Sequence, residues 1–209
     1  MNGTAEGLCV ENVHVWRGDR HVLKGVSVEV GPRELVHVLG PNGTGKTTLL
    51  RVATGLLRPE HGRVLWRGRA ISSVRSDYQS ALAYVSHEPA LKADLTPLEN
   101  LRFMVGLKRR VSTSELKAHL DRTGVLACAD LPVRVLSAGQ RRRVVMARVL
   151  ALGAAIWLLD EPFTNLDAAG TELVATLLAE HVNSGGLALV VAHQNLQVSA
   201  TTRRLELAT

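Results

Sequence analysis

Apolar and polar positions alternate through residues 8–16 and again through 22–30, both rich in valine, so each predicts a half-buried β-strand. Residues 35–39 form a short, almost continuous apolar run that ends in a glycine-rich turn, the pattern of a strand buried on both faces. Residues 64–66 and 81–85 are further strand candidates. The middle of the chain changes period. Residues 97–107 and 112–123 read as helices, the second opened by Ser112 with Glu115 three residues on, a capping box. A third helix is predicted over 141–152. Strand and helix then alternate at 155–159, 168–182 and 187–192, which predicts a mostly parallel sheet with helices on both faces. A helical insert, roughly 88–138, divides this α/β core. Gly/Pro punctuation falls at Gly31-Pro32, between Arg58 and Gly62, at Pro89, Pro132 and Gly185-Gly186, and no internal repeat appears.

The 209 residues suit a single domain, 1–209. Aromatic residues are only 3% against 46% hydrophobic, so aliphatic side chains must build the core. Cys9 and Cys128 are too few for a disulfide framework and match no zinc spacing, so they read as reduced structural thiols. The first ten residues lack the basic and apolar regions of a signal peptide. The apolar stretch 149–159 is about half of what a membrane span needs, so the chain is not expected to cross a membrane itself. Twenty-five basic against 19 acidic residues give a net charge of +6. The charge is dispersed, densest at Arg141-Arg142-Arg143, and has neither a basic arm nor a base-stacking aromatic set, so a nucleic-acid partner is not expected.

The sharpest chemical signal is Gly40-Pro41-Asn42-Gly43-Thr44-Gly45-Lys46-Thr47, a full G-x4-G-K-[ST] between a predicted strand and an aliphatic helix over 48–55. Its glycines let successive N–H groups converge on one anion, and the helix N-terminus adds partial positive charge. Lys46 reaches the β- and γ-phosphates, the hydroxyl of Thr47 can ligate Mg²⁺, and Thr48 is read with them as nucleotide-binding. A second acid for the metal stands at the end of the run Ile156-Trp157-Leu158-Leu159, as Asp160, and Glu161 beside it can polarise a water aimed at the γ-phosphate. Ser137-Ala138-Gly139-Gln140 before a helix is an anion site or an ordinary cap. His193, ending the apolar run 187–192, is read as a hydrogen-bond partner of the γ-phosphate rather than a structural imidazole.

In this order, GPNGTGKT, LSAGQ, LLDEP, FTNLD and AHQ resemble the nucleotide-binding subunit of ABC transporters over nearly the whole chain. The resemblance implies an α/β P-loop NTPase of ABC type, with an N-terminal antiparallel β part and a helical subdomain at about 88–138. It implies two subunits that sandwich two ATP molecules. Ser137 and Gly139 would then touch the ATP held by the partner's Lys46, with 163–167 crossing between subunits. Trp16 stands where the family often places an aromatic that stacks on adenine; as an isolated residue it reads equally as core. The stretches 84–92 and 95–103, Pro132-Val133-Arg134 and LSAGQRRR resemble the haem-exporter ATPases of cytochrome c maturation. That likeness implies transmembrane partner subunits contacted through 87–103, and a peripheral place on the cytoplasmic face of the bacterial inner membrane. Other substrates, a soluble ABC ATPase acting on nucleic acid, and a P-loop kinase are the alternatives. Where those ATPases read His-Gln-Pro, this chain has His87-Glu88-Pro89. Glu88 is therefore a candidate Mg²⁺ ligand in place of the glutamine, since carboxylates suit Mg²⁺ and neutral imidazole does not; a solvated loop residue is the alternative.

Overall fold

The computed structural model describes residues 6–193 and 196–207. Two sheets carry the fold. The first is antiparallel, in the order β2-β1-β4-β5, from β1 (Leu8–Arg17), β2 (Arg20–Val30), β4 (His61–Trp66) and β5 (Arg69–Ala70). The second is parallel, in the order β6-β7-β8-β3-β9, from β3 (Leu35–Leu39), β6 (Leu82–Val85), β7 (Ile156–Asp160), β8 (Leu187–Val191) and β9 (Thr202–Glu206).

The alternation in β1 is broken by design. Leu8 and Val10 face the core, and so do Val13 and Val15, a change of parity. The cause is a bulge at Asn12, which takes a left-handed φ of 46°. The bulge demands glycine opposite, because a Cβ on Gly62 would lie 2.3 Å from the Asn12 carbonyl oxygen. It also turns His14 and Trp16 to the outer face, where Trp16 stacks on His21 of β2, ring centroids 3.8 Å apart.

β7 and β8 are buried along their whole length, as continuous apolar runs require. One core cluster joins β1, β2 and the α1 helix (Lys46–Ala53) to one face of the parallel sheet; a second joins α5 (Ala138–Leu152) and α6 (Ala168–Asn183) to the other. Between β6 and α5 lie α3 (Pro97–Gly106) and α4 (Thr113–Arg122), which share a third cluster with α5.

The expected capping box at Ser112 forms only by half. Ser112 accepts from the Glu115 N–H at 3.2 Å, but the Glu115 carboxylate is taken by Arg109. Complete boxes stand instead at Thr96/Glu99 and at Ser137/Gln140. Three elements had no expectation: β5, the α2 helix (Arg75–Ser80), and β9, which runs parallel beside β3. Cys9 and Cys128 are free thiols; burial and the neighbouring Glu11 and Glu29 push Cys9 up to about 11.

Candidate functional site

β3, β7 and β8 are neighbours in the parallel sheet, and their C-terminal ends open on one cleft of about 650 Å³. That is where an open α/β sheet binds ligands. The loop leaving β3 needs its glycines. Gly40, Gly43 and Gly45 have φ of 145°, 82° and 99°, and a Cβ on Gly45 would stand 2.7 Å from the Leu23 side chain. Gly45 caps α1 through its backbone alone, which leaves the first N–H groups of that helix facing the cleft. Lys46, only 7% exposed, lies across the loop and donates to the carbonyls of Gly40 at 2.7 Å and Pro41 at 2.9 Å. The Thr44 hydroxyl donates to the Pro41 carbonyl at 3.0 Å.

Asp160, 1% exposed, ends β7 opposite this loop. Burial raises its pKa, against the pull of the Thr47 hydroxyl and of His87, Arg142 and Lys46. Its Oδ2 is buried without a hydrogen-bond partner. Such an orphaned carboxylate oxygen beside a threonine hydroxyl is a donor set that fits a hard divalent cation. Glu161 follows in the left-handed region, φ 52°, with its N–H bonded to the Val191 carbonyl at 2.8 Å. Its Oε1 is likewise buried and unbonded, while the Nε2 of His193, just past β8, stands 3.3 Å away without hydrogen-bond alignment.

Asn42, Gly43, Gly45, Lys46, Thr47, Thr48, Asp160, Glu161 and His193 line the cleft together. Gly40, Pro41 and Thr44 build the loop behind them. Trp16 is not part of the lining. The bulge in β1 sends it outward, and His21 covers one face of its ring. Glu88 does not reach the cleft either: it is exposed, and His87 takes the place on the wall. The loop is set by Ser86, whose hydroxyl donates to the Glu88 carbonyl at 2.7 Å, and by Arg142, whose buried guanidinium donates to the His87 carbonyl at 2.9 Å. His87, one of the two residues standing for the glutamine, and Thr164 of the 163–167 loop line the cleft, as do Arg17 and Arg20, which had not been singled out; Arg20 donates to the Gly43 carbonyl at 2.7 Å. No sequence pattern marks a lone exposed arginine as a loop clasp. Gln194, the end of the AHQ motif, lies outside the described residues.

Ser137, Ala138, Gly139 and Gln140 stand at the start of α5, away from this cleft. Ser137 accepts from the Gln140 N–H at 3.1 Å, and the Gln140 side chain accepts from the Ser137 N–H at 2.8 Å. Gly139 is packed on the loop that follows Glu161: a Cβ there would lie 2.8 Å from the Asn165 carbonyl oxygen. Arg143 and Asp167, 2.8 Å apart, tie α5 to the end of that loop.

The ABC transporter family model matches residues 23–164. The chain is 44% identical over 201 residues to the cytochrome c biogenesis ATP-binding export protein CcmA of Methylococcus capsulatus, spanning 96% of this chain and 97% of that protein. It is 41% identical over 192 residues to the CcmA of Escherichia coli K12, spanning 91% of each. A bacterial ABC transporter cassette solved as a dimer is similar at TM-score 0.81 and 26% identity, over 90% of this chain and 88% of that one. An ATP-binding subunit of an ABC transporter shares the fold at TM-score 0.80 and 24% identity, over 90% of this chain and 79% of that one. With its phosphate loop, the acid pair at the end of β7 and these relatives, the chain belongs to the ABC transporter family, as an ATP-hydrolysing subunit.

Proposed function

We propose that this chain is the ATPase of an export complex that serves cytochrome c biogenesis by moving or delivering haem, as its curated relatives' names and the haem-exporter resemblance indicate. One observation carries the chemistry: Lys46, Thr47, Asp160, Glu161 and His193 converge on a single cleft from three neighbouring strands. The loop 40–45, Lys46 and the α1 N-terminus bind the triphosphate. Thr47 and Asp160 hold Mg²⁺, which when bound neutralises charge on the β- and γ-phosphates. Glu161 takes a proton from the attacking water, and His193 orients the γ-phosphate. Trp16 meets adenine only from outside the cleft wall, and Glu88 acts in coupling rather than as a ligand.

The whole of 1–209 acts as one ATP-binding domain, with α3 and α4 as its helical part. No described helix is long and apolar enough to cross a membrane. Phe103 of α3, Leu107 just after it and Val135 before α5 are 46%, 72% and 61% exposed, apolar side chains available to transmembrane subunits at the cytoplasmic face of the inner membrane. Nucleic acid has no place in this scheme.

Ser137 and Gly139 are not among the residues that line the cleft with their own Lys46. They serve ATP held by a second copy, in a head-to-tail sandwich. Ser137→Arg then blocks hydrolysis but not ATP binding, and an equal mixture of Ser137→Arg and Lys46→Ala chains regains part of the activity through one intact composite site. Full ATPase activity in Ser137→Arg alone refutes the composite site.

A further inference from the structure

Within the apolar strand β3, one polar side chain interrupts the run: His37, 1% exposed. Its Nε2 lies 3.0 Å from the carbonyl oxygen of Ala192, the residue just before His193. A carbonyl can only accept, so Nε2 carries the proton and donates. Burial pushes the imidazole below its ordinary pKa, so it stays neutral. The bond lies beyond the last ladder pair of β3 and β8, Val38 with Val191. The preceding carbonyl, that of Val191, is held from the other side by the Glu161 N–H at 2.8 Å. The exit of β8 is thus clasped twice: by the backbone of Glu161 from β7 and by the imidazole of His37 from β3.

We infer that His37 is a positioning residue for hydrolysis, fixing the peptide that carries His193 so that its imidazole stays in register with Glu161 and the γ-phosphate. The inference rests on the reading of His193 and Glu161 given above. An apolar side chain would suit this strand's burial better, since a buried imidazole must find a partner. What the histidine adds is a donor at the end of β8, where the ladder itself has stopped. Small misplacement of an orienting group reduces rate far more than it reduces substrate binding.

The test uses the full-length chain isolated with the membrane subunits that co-purify. His37→Val keeps an apolar β-branched strand residue and removes the donor. His37→Gln places an amide N–H near the position of Nε2. Expected are a kcat reduced about tenfold or more in His37→Val, ATP affinity and Tm close to wild type, and recovery to within about threefold of wild type in His37→Gln. His193→Ala is measured beside them. A wild-type kcat in His37→Val, with His193→Ala inactive, overturns the positioning role alone. So does a loss in His37→Val that His37→Gln fails to relieve, or one accompanied by an equal loss of ATP binding and Tm, since that marks a fold contact only. A fully active His193→Ala instead removes the site reading, and the positioning role with it.

Discussion

Glu161 occupies backbone territory that a residue bearing a Cβ seldom enters, φ 52°, immediately after a fully buried strand. The strain aims the side chain back under the cleft, where Oε1 is buried beside His193. Glutamine can adopt the same backbone and the same volume but cannot accept a proton. Glu161→Gln should therefore fold and bind ATP while hydrolysis falls by about 10²–10⁴. Size-exclusion chromatography with ATP and Mg²⁺ should then show the trapped dimer. An enzyme of undiminished rate would falsify the base assignment. At the P-loop and the acid pair, motif and strand end coincide, so their place in the fold is legible residue by residue. The direction of Trp16 is not: the left-handed Asn12 decides it, and an asparagine in a valine-rich run does not by itself mark a bulge.

Helix α6 is held to β7 by a ring stack, His181 on Trp157 with centroids 3.9 Å apart and planes 7° from parallel. Gly186 must be glycine, since a Cβ there would lie 2.2 Å from the imidazole. Burial pushes His181 down to about 4, outweighing the carbonyls of Leu187 and Ala155. The unfolded chain binds the proton more readily than the folded one, so stability rises with pH across the window from about 4 to 6.5 and is lost as pH falls through it. The Tm of the wild type should drop between pH 7 and pH 5, and the drop should shrink in His181→Gln. Parallel slopes in the two proteins would exclude His181 as the source. The same element scale explains what was legible. The strands β3, β7 and β8 are almost wholly apolar runs beside recognisable loops. β5 has two residues, α2 has six with one buried side chain, and β9 reads Thr-Arg-Arg-Leu-Glu, mostly exposed at a sheet edge. Hydrophobic period carries no information where a strand buries so little. At Thr96/Glu99 a complete capping box coincides with a proline at the first helical position, so two independent signals mark the start of α3.

Across the whole molecule, the last strand closes the phosphate loop. The Leu207 N–H bonds to the Leu39 carbonyl at 2.9 Å, and a Cβ on Gly40 would stand 2.5 Å from the Leu207 carbonyl oxygen. The Leu207 side chain is 6% exposed in the core cluster shared with α1. Leu207→Ala should lower the unfolding free energy by about 2–4 kcal/mol and weaken ATP binding as the loop loses its support. Urea titration and calorimetry read the two effects; an unchanged denaturation midpoint and ATP affinity would show that β9 contributes neither. The parallel order of strands has a further consequence, for synthesis. β3 lies between β8 and β9, which follow every other described strand in the chain. The phosphate-loop strand thus leaves the ribosome long before either neighbour exists, a bare apolar segment with no ladder on either edge. A nucleotide site that needs the ends of β3, β7 and β8 side by side cannot close around the phosphate loop until β8 has been made.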